Sequence, residues 1–302
     1  MNHLGAHANW DYNAPMALKN TSVKPDNENG EARNAAQRGL ALFVLGGQDV
    51  EMREIERVLA SAGLPCAYAA TSGVRTHSGN AYQADGVVPV FSGRTRRPLI
   101  ALPGRSMVLV ECSISLAGPR LRIDHHNPGD PGYDAPPADY LRGSSLGQLL
   151  ELLDMEASAD QLLIAAADHC LSAAYRGQCP GIDPDELLFM RAAWQGLMTR
   201  RSLGETMSGI LDAAKRALDR FDPTLGASVF LDPTRAPRDL PEGAARAGVP
   251  VIYRRFAPDG SLKEMIKGST SEATRLFMAG HEALGHRVYG NPHRGYAGAY
   301  LP

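Results

Sequence analysis

The chain has 302 residues, a formal net charge of −2 and four cysteines. This length favours two domains, and the small net charge gives no sign of a surface that binds duplex DNA. The cysteines are widely spaced and include no CxxC pair, which argues against a disulfide framework or a structural zinc site. Since no segment has the pattern of a membrane span or a signal peptide, we expect a cytoplasmic protein without a membrane partner.

The first half of the chain predicts a flexible tail followed by an α/β domain. Residues 1–38 are rich in asparagine and poor in branched apolar residues, so we predict a flexible N-terminal tail, with an oligomer arm as the alternative. The apolar run LALFVLGG predicts a buried parallel strand, and an amphipathic helix follows it. Further strands are predicted in CAYAAT, GVVPVF, SMVLVECSI and RLRID. Alternating strands and helices indicate a mainly parallel sheet with flanking helices over residues 39–190.

The second half is predicted to be helical first and mixed afterwards. Helical patterns begin at Ser144 and continue into a helical connector over residues 191–223. Residues 224–302 alternate strand patterns with one capped helix and predict a smaller α+β domain. The pattern HRVYG…YAGAYL predicts a single final strand. The predicted fold class is therefore α/β with a helical connector and a smaller α+β C-terminal domain.

Acidic and imidazole side chains follow several predicted strands. Because ligands bind beyond the carboxyl ends of parallel strands, we expect Asp49, Glu111 and His125 to lie near such a site. Asp168 lies in the apolar helix LLIAAADHCLSAA, where a carboxylate is costly unless it is paired or bound to a metal ion. Mixed carboxylate and imidazole ligands suit Mn²⁺, Fe²⁺ or Co²⁺, with Zn²⁺ as an alternative. One or two such ions could support attack on a phosphoryl group.

Each of these groups also has a structural explanation. The Asp-His-His sequence at residues 124–126 could be a polar loop at a strand end. Asp168 could form an ion pair with an arginine such as Arg176. Asp49 and Glu51 could cap a helix and interact with its dipole. The residue pattern by itself leaves both kinds of explanation open.

The segments RIDHHNPGD and SSLGQLLELL resemble the DHH phosphoesterase superfamily, in which a strand ends in Asp-His-His and a serine-containing helix start follows. This superfamily includes single-strand exonucleases, oligoribonucleases, cyclic-dinucleotide phosphodiesterases and a class of inorganic pyrophosphatases. The resemblance implies a DHH-like metal-binding domain and a DHHA1-like substrate-binding domain over residues 224–302. It also implies a metal-dependent phosphoric ester hydrolase that uses one or two divalent ions, with Mn²⁺ as the expected metal.

The four motifs of the superfamily match this chain unequally. The third is intact, whereas the first, His-x-Asp-x-Asp, is GQDVE here, so that its histidine is missing and Glu51 replaces the second aspartate. His169 or His77 could supply the missing ligand. The resemblance implies that the following residues bind metal: Asp49, Glu51, Glu111, His125 and Asp168. It implies that the following residues are catalytic: Asp124, His125 and His126, of which His126 also contacts the phosphoryl group.

The segment YGNPHRGYAGAY is similar to the glycine-rich substrate loop of the same families, and the strand VIYRRF could supply a phosphate contact together with Lys267. Since Arg254 and Arg255 alternate sides of that strand, at most one should face the cleft. The resemblance implies that the following residues bind substrate: His126, Arg255, His293, Arg294 and Gly295.

We expect a small phosphorylated compound, a nucleotide or a short single-stranded nucleic acid as substrate, and no duplex DNA. A homodimer is compatible with the sequence. The competing hypothesis is a catalytically inactive DHH-like protein that binds a nucleotide or phosphate, and the altered first motif is its best support.

Overall fold

The computed structural model describes residues 28–90, 106–115, 120–257 and 260–302, with side chains from residue 33 onward. These residues form two compact units. The first contains the described residues up to Asp124 together with Ser145–Ala157, and the second contains His125–Ser144 and Ser158–Pro302. The division falls inside the Asp-His-His sequence, whereas the sequence analysis placed a boundary near residue 190.

The described residues contain nine α-helices and twelve strands. The helices are α1 (Glu28–Gln37), α2 (Val50–Ser61), α3 (Tyr140–Gly143), α4 (Ser145–Leu152), α5 (Ala159–Tyr175), α6 (Pro184–Thr199), α7 (Leu203–Asp219), α8 (Leu240–Ala247) and α9 (Ser271–Ala283). The strands are β1 (Leu42–Leu45), β2 (Cys66–Thr71), β3 (Val74–Arg75), β4 (Gly86–Pro89), β5 (Met107–Val110), β6 (Arg120–Ile123), β7 (Phe221–Asp222), β8 (Ala227–Phe230), β9 (Val251–Phe256), β10 (Leu262–Lys267), β11 (Arg287–Asn291) and β12 (Tyr296–Tyr300).

The first unit is built on a six-stranded, mostly parallel sheet. Its order is β3-β2-β1-β5-β6, and β4 pairs with β2. The pairs β1–β2, β1–β5 and β5–β6 are parallel, whereas β3 and β4 are antiparallel to β2. All residues of β1 and β5 are buried, as expected for central parallel strands. Because parallel strands end at the same edge, Glu111 after β5 and Asp124 after β6 follow neighbouring strand ends.

The second unit combines helices α5–α8 with a six-stranded sheet of order β11-β12-β10-β9-β8-β7. Its strand pairs are antiparallel except for β8 and β9, which are parallel. Helices α7 and α8 cover part of this sheet, where Ala217 and Leu240 share a buried cluster with Phe230, Val251 and Tyr253. Serine side chains cap α5 and α7 through capping boxes, which satisfies amide groups at both helix starts.

The general α/β prediction is confirmed, since the described residues form two mixed sheets, one of them mostly parallel. The prediction of one final strand is wrong: residues 287–300 form the antiparallel pair β11 and β12 around a turn. Helix α1 lies within the segment predicted as a tail, and residues 1–27 of that segment lie outside the described residues. Among the described residues, no helix combines the length and apolar character that a membrane span requires.

Candidate metal centre

In the first unit, Asp49 and Glu51 both lie at helix starts. Asp49 is the N-cap of α2, and its Oδ1 accepts a hydrogen bond from the amide of Met52 at 2.8 Å. The capping explanation therefore holds for this residue, and metal ligation by it stays a prediction. Glu51 is only 1% exposed, and its Oε1 accepts a hydrogen bond from the amide of Leu146 at 2.9 Å, near the start of α4.

Glu111 follows β5 in an unusual backbone conformation. Its φ of 49° lies in the left-handed region, which is uncommon for a residue with a side chain. Its amide donates to the carbonyl oxygen of Ile123 at 3.0 Å, which fixes its backbone beside the end of β6. The side chain is buried, and one of its carboxylate oxygens lies within 4.8 Å of one from Glu51. Two buried carboxylates this close repel each other unless a proton or cation lies nearby, so this pair could bind a metal ion.

Asp124 is completely buried and is held by two residues of its own unit. The hydroxyl of Tyr82 lies 3.0 Å from each carboxylate oxygen. The side chain of Gln148 accepts from the Asp124 amide at 3.2 Å and donates to its carbonyl oxygen at 3.1 Å. These contacts fix the first residue of the Asp-His-His sequence, and a catalytic role for Asp124 stays a prediction.

In the second unit, His125 and Asp168 form a close pair. His125 is completely buried, and its Nε2 lies 3.0 Å from Oδ2 of Asp168. Burial acts to raise the pKa of Asp168, but His125, followed by Arg294, outweighs it, so that the pKa lies well below its ordinary value. The pair therefore presents an ionised carboxylate to an imidazole nitrogen. The 3.0 Å separation also suits two ligands of one metal ion. Two ligand atoms that lie about 2.1 Å from a metal ion, at right angles to each other, are about 3 Å apart.

The side chain of His169 determines which nitrogen of His125 carries a proton. Nε2 of His169 lies 2.9 Å from the carbonyl oxygen of Ala135, which can only accept, so this nitrogen donates. Burial lowers the pKa of His169 to about 4, and the ring is neutral at pH 7. Its Nδ1 then accepts from Nδ1 of His125, 3.4 Å away. In neutral His125 the remaining lone pair on Nε2 faces Asp168, and only a proton or a metal ion makes that contact favourable.

A kink in α5 positions this pair. Cys170 interrupts the helix with φ −156° and ψ 57°, immediately after Asp168 and His169. Arg294 compensates for the interruption, since its Nε donates to the carbonyl oxygen of His169 at 3.1 Å and its Nη2 donates to that of Asp168. The arginine side chain is only 14% exposed. Its guanidinium is engaged within the protein, and the predicted substrate contact stays a prediction.

A cavity of about 890 Å³ in the second unit adjoins these residues. All five predicted substrate residues line it: His126, Arg255, His293, Arg294 and Gly295. His293 is half exposed and lies 3.8 Å from a carboxylate oxygen of Asp134. Gly295 has φ 66°, and a Cβ at this position would lie 2.2 Å from the carbonyl oxygen of Ser269, so the loop requires glycine here.

The cavity lining contains cationic side chains as well as acidic ones. Arg255 and Lys267 both line it, and Nη2 of Arg255 donates to the carbonyl oxygen of Arg238 at 2.9 Å. Burial, followed by the charge of Arg191, lowers the pKa of Lys267. Arg254 instead pairs with Glu264 at 2.6 Å. Arg254 and Arg255 therefore lie on opposite faces of β9, and of the two only Arg255 lines the cavity.

Among the described residues, candidate metal ligands lie in both units. In the first unit, the buried Glu51 and Glu111 are candidate metal ligands, and in the second unit the buried His125 and the partly exposed Asp168 are candidates. His77 is exposed, and its Nδ1 accepts from the amide of Gly79 at 3.0 Å. His169 serves as the hydrogen-bond partner of His125. Neither belongs to the ligand groups found among the described residues.

Sequence reasoning missed the residues that support these candidate ligands. Tyr82, Gln148 and Ala135 hold Asp124 and His169 from distant positions in the chain. Of these three residues, only Gln148 lies in a segment quoted in the sequence analysis, SSLGQLLELL. No family model and no curated protein matches the chain. The DHH resemblance therefore depends on the motifs quoted above.

Proposed function

We propose that the protein is a metal-dependent phosphoesterase that hydrolyses a small phosphorylated compound, a nucleotide or a short oligonucleotide. The observation that carries the proposal is the contact between Nε2 of His125 and Oδ2 of Asp168 at 3.0 Å, with His169 holding the opposite nitrogen of the ring. Metal-binding histidines usually have such a partner on the second nitrogen, because it fixes the tautomer and orients the ring.

The donor set suits a divalent cation of intermediate hardness. We propose that Glu51 and Glu111 in the first unit, and His125 and Asp168 in the second, act as metal ligands, with Asp49 as a weaker candidate because its carboxylate caps α2. Carboxylates combined with imidazole favour Mn²⁺ or Fe²⁺ over Ca²⁺ or Mg²⁺. When bound, the metal would supply Lewis acidity, and it would lower the pKa of a water molecule bound to it toward neutral pH.

The residues around the cavity suit a phosphorylated substrate. His126 lines the cavity next in sequence to His125, so it would contact the phosphoryl group. Arg255 and Lys267 would bind a more distant anionic group, because both line the cavity and carry positive charge. His293 and Gly295 would contact the remainder of the substrate from the loop between β11 and β12.

The experiment combines metal binding with turnover. Dialysed protein is titrated with Mn²⁺ by calorimetry and assayed for hydrolysis of bis(p-nitrophenyl) phosphate. We expect the wild type to bind Mn²⁺ and turn over, and His125→Ala to lose both. His286→Ala serves as a matched control, because it removes a half-buried histidine that contacts His281 instead of the candidate ligands.

A second candidate function is a nucleotide- or phosphate-binding protein without turnover. The sequence GQDVE in place of the first motif favours it, and Asp49 is already engaged as a helix cap. Binding of a nucleotide with no turnover under Mn²⁺, Fe²⁺, Co²⁺, Zn²⁺ or Mg²⁺ would select this alternative. A wild type that binds none of these metals would reject the metal-dependent proposal.

A further inference from the structure

Two of the four cysteines meet in the second unit. The Sγ atoms of Cys170 and Cys179 lie 3.2 Å apart, which is closer than an ordinary van der Waals contact between sulfur atoms and fits a hydrogen bond between two free thiols. We call these two residues the cysteine pair. Since a disulfide bond has a length of about 2.05 Å, the sulfur atoms would need to approach by only about 1.2 Å to form one.

The turn after α5 brings the two residues together, although they are distant in sequence and form no CxxC motif. The amide of Gln178 donates to the carbonyl oxygen of Ala173 at 3.0 Å, as in a Schellman motif at a helix end. Gly177 has φ 70°, the left-handed conformation that such a motif requires. The chain therefore turns back along α5 and places the second cysteine beside the first.

Both members of the cysteine pair are held by packing. Cys179 is only 2% exposed and belongs to a buried cluster with Ile182 and Leu187. Cys170 packs against the same cluster from the kink in α5. Because the two side chains already lie in contact within the fold, a bond between them would cost little further conformational entropy.

The cavity described above gives a small oxidant access to the cysteine pair. Cys170 is partly exposed and lines this cavity. The other two cysteines lie in the first unit, where Cys66 is buried in β2 and Cys112 donates to the carbonyl oxygen of Val44 at 3.4 Å. Since oxidation of a thiol depends on its accessibility, the cysteine pair is the more exposed target.

Two neighbouring thiols can bind a metal ion or form a disulfide bond. A zinc site needs at least three protein ligands, and neither cysteine belongs to the ligand groups found among the described residues. Bond formation between the two sulfur atoms is therefore the chemistry that this contact fits best.

We propose that Cys170 and Cys179 form a reversible disulfide bond when hydrogen peroxide enters the cavity. One sulfur attacks a peroxide oxygen, so that an S–O bond forms, the O–O bond breaks, and the departing hydroxide takes the proton of that thiol and becomes water. The second sulfur then attacks the first, so that the S–S bond forms and the S–O bond breaks. The hydroxide released in this step takes the proton of the second thiol, so the pair is oxidised and the peroxide is reduced to water.

The disulfide bond would tether the kink in α5 to the turn after this helix. The kink lies two residues beyond Asp168, so the bond would covalently fix the backbone beside a candidate metal ligand. The proposal goes beyond the proposed function, since formation of the bond requires neither metal nor turnover.

The first experiment identifies the bond. Reduced protein in EDTA is treated with a small excess of hydrogen peroxide, alkylated and digested with trypsin. Cleavage after Arg176 separates the two cysteines, so the disulfide appears in the mass spectrum as two joined peptides that have lost two hydrogen atoms. We expect this cross-link in the wild type and in the matched control Cys66→Ala. Alkylation of all four cysteines, or a cross-link to Cys66 or Cys112, would overturn the proposal.

The second experiment tests whether the fold accommodates the bond. The oxidised wild type should unfold about 5 °C above the reduced protein, because the bond restricts the unfolded chain without distorting the folded one. Cys170→Ala and Cys179→Ala each leave one thiol of the pair, so the same treatment should raise the midpoint of neither variant. Dithiothreitol should restore all four thiols of the wild type. A lower midpoint after oxidation, or oxidation that dithiothreitol does not reverse, would contradict the proposal.

Failure of this inference is distinguishable from failure of the proposed function. The cross-link is measured in EDTA without any substrate, whereas hydrolysis of bis(p-nitrophenyl) phosphate is measured with Mn²⁺ under reducing conditions. A protein that forms the cross-link without hydrolytic activity would support the cysteine pair and reject the phosphoesterase. Hydrolysis by a protein that forms no cross-link would support the phosphoesterase and reject the disulfide.

Discussion

Arg294 donates a hydrogen bond from Nε to the backbone carbonyl oxygen of His169 at 3.1 Å, which joins the loop after β11 to the kink in α5. This contact holds the segment that carries Asp168. Hydrogen bonds from a charged group contribute more to stability than those between neutral groups. A residue expected from the sequence to contact substrate therefore has a structural role in the folded chain.

The Arg294→Ala variant should lower the free energy of unfolding by about 2–3 kcal/mol, because two backbone carbonyls lose a charged donor. Urea denaturation followed by circular dichroism measures the change. Arg287→Ala, which removes an exposed arginine of β11, should cost less than about 1 kcal/mol. Equal unfolding midpoints for Arg294→Ala and the wild type would contradict the structural role.

His169→Ala should weaken Mn²⁺ binding by about 10- to 100-fold, because His125 loses the partner that fixes its tautomer and orientation. Calorimetry on the dialysed protein measures this effect without any assay of turnover. His77→Ala should bind Mn²⁺ like the wild type, since His77 is exposed and contacts its own turn. A larger loss in His77→Ala than in His169→Ala would indicate that His77 supplies the missing ligand.

The ion pair between buried Glu242 and partly buried Arg191 should make stability depend on pH. Arg191 donates to Oε2 of Glu242 at 2.7 Å, and Tyr175 donates to Oε1 at 2.8 Å. Burial raises the pKa of Glu242, but Arg191 outweighs it, so that the folded pKa lies below the ordinary 4.5. A carboxyl group with a lowered folded pKa stabilises the protein above its unfolded pKa, and this stabilisation disappears as the pH falls through the folded pKa.

We therefore expect Glu242→Gln to lower the free energy of unfolding by up to about 3 kcal/mol at pH 7, because the partly buried Arg191 keeps its charge without a carboxylate partner. The difference from the wild type should shrink as the pH falls below 4.5. Denaturation curves over this range measure both effects. A difference that stays constant down to acidic pH would show that the ion pair contributes nothing to the pH dependence.

Gly46→Ala should destabilise the first unit by about 1–3 kcal/mol, which is typical of overpacking. A Cβ at this position would lie 2.3 Å from the backbone carbonyl oxygen of Glu111, and a backbone atom cannot move aside easily. Gly280→Ala is the matched control, because nothing lies near that position of α9 and alanine favours a helix. Thermal unfolding should show a lower midpoint for the first variant and an equal or higher one for the second.

Short-range features could be predicted from the sequence because they depend on neighbouring residues. The apolar run before Gly46 predicted β1, and the polar residues after it predicted the start of α2, where Asp49 is the cap. The final strand was predicted incorrectly, since the turn between β11 and β12 contains Pro292 and Gly295 but the apolar pattern on either side is short. An apolar pattern of only five residues is too short to show where one strand ends and the next begins.

The sequence by itself determined the Asp-His-His motif, the alternation of strands and helices, and the presence of an aspartate in an apolar helix. Only the tertiary structure decided which nitrogen of His125 carries a proton, because the tautomer depends on Ala135 acting through His169. It also decided that Arg287, Tyr300, Lys263 and Arg255, from four different strands, lie on one face of the C-terminal sheet. Strand register sets that arrangement, and register is a property of the assembled sheet, not of any single strand.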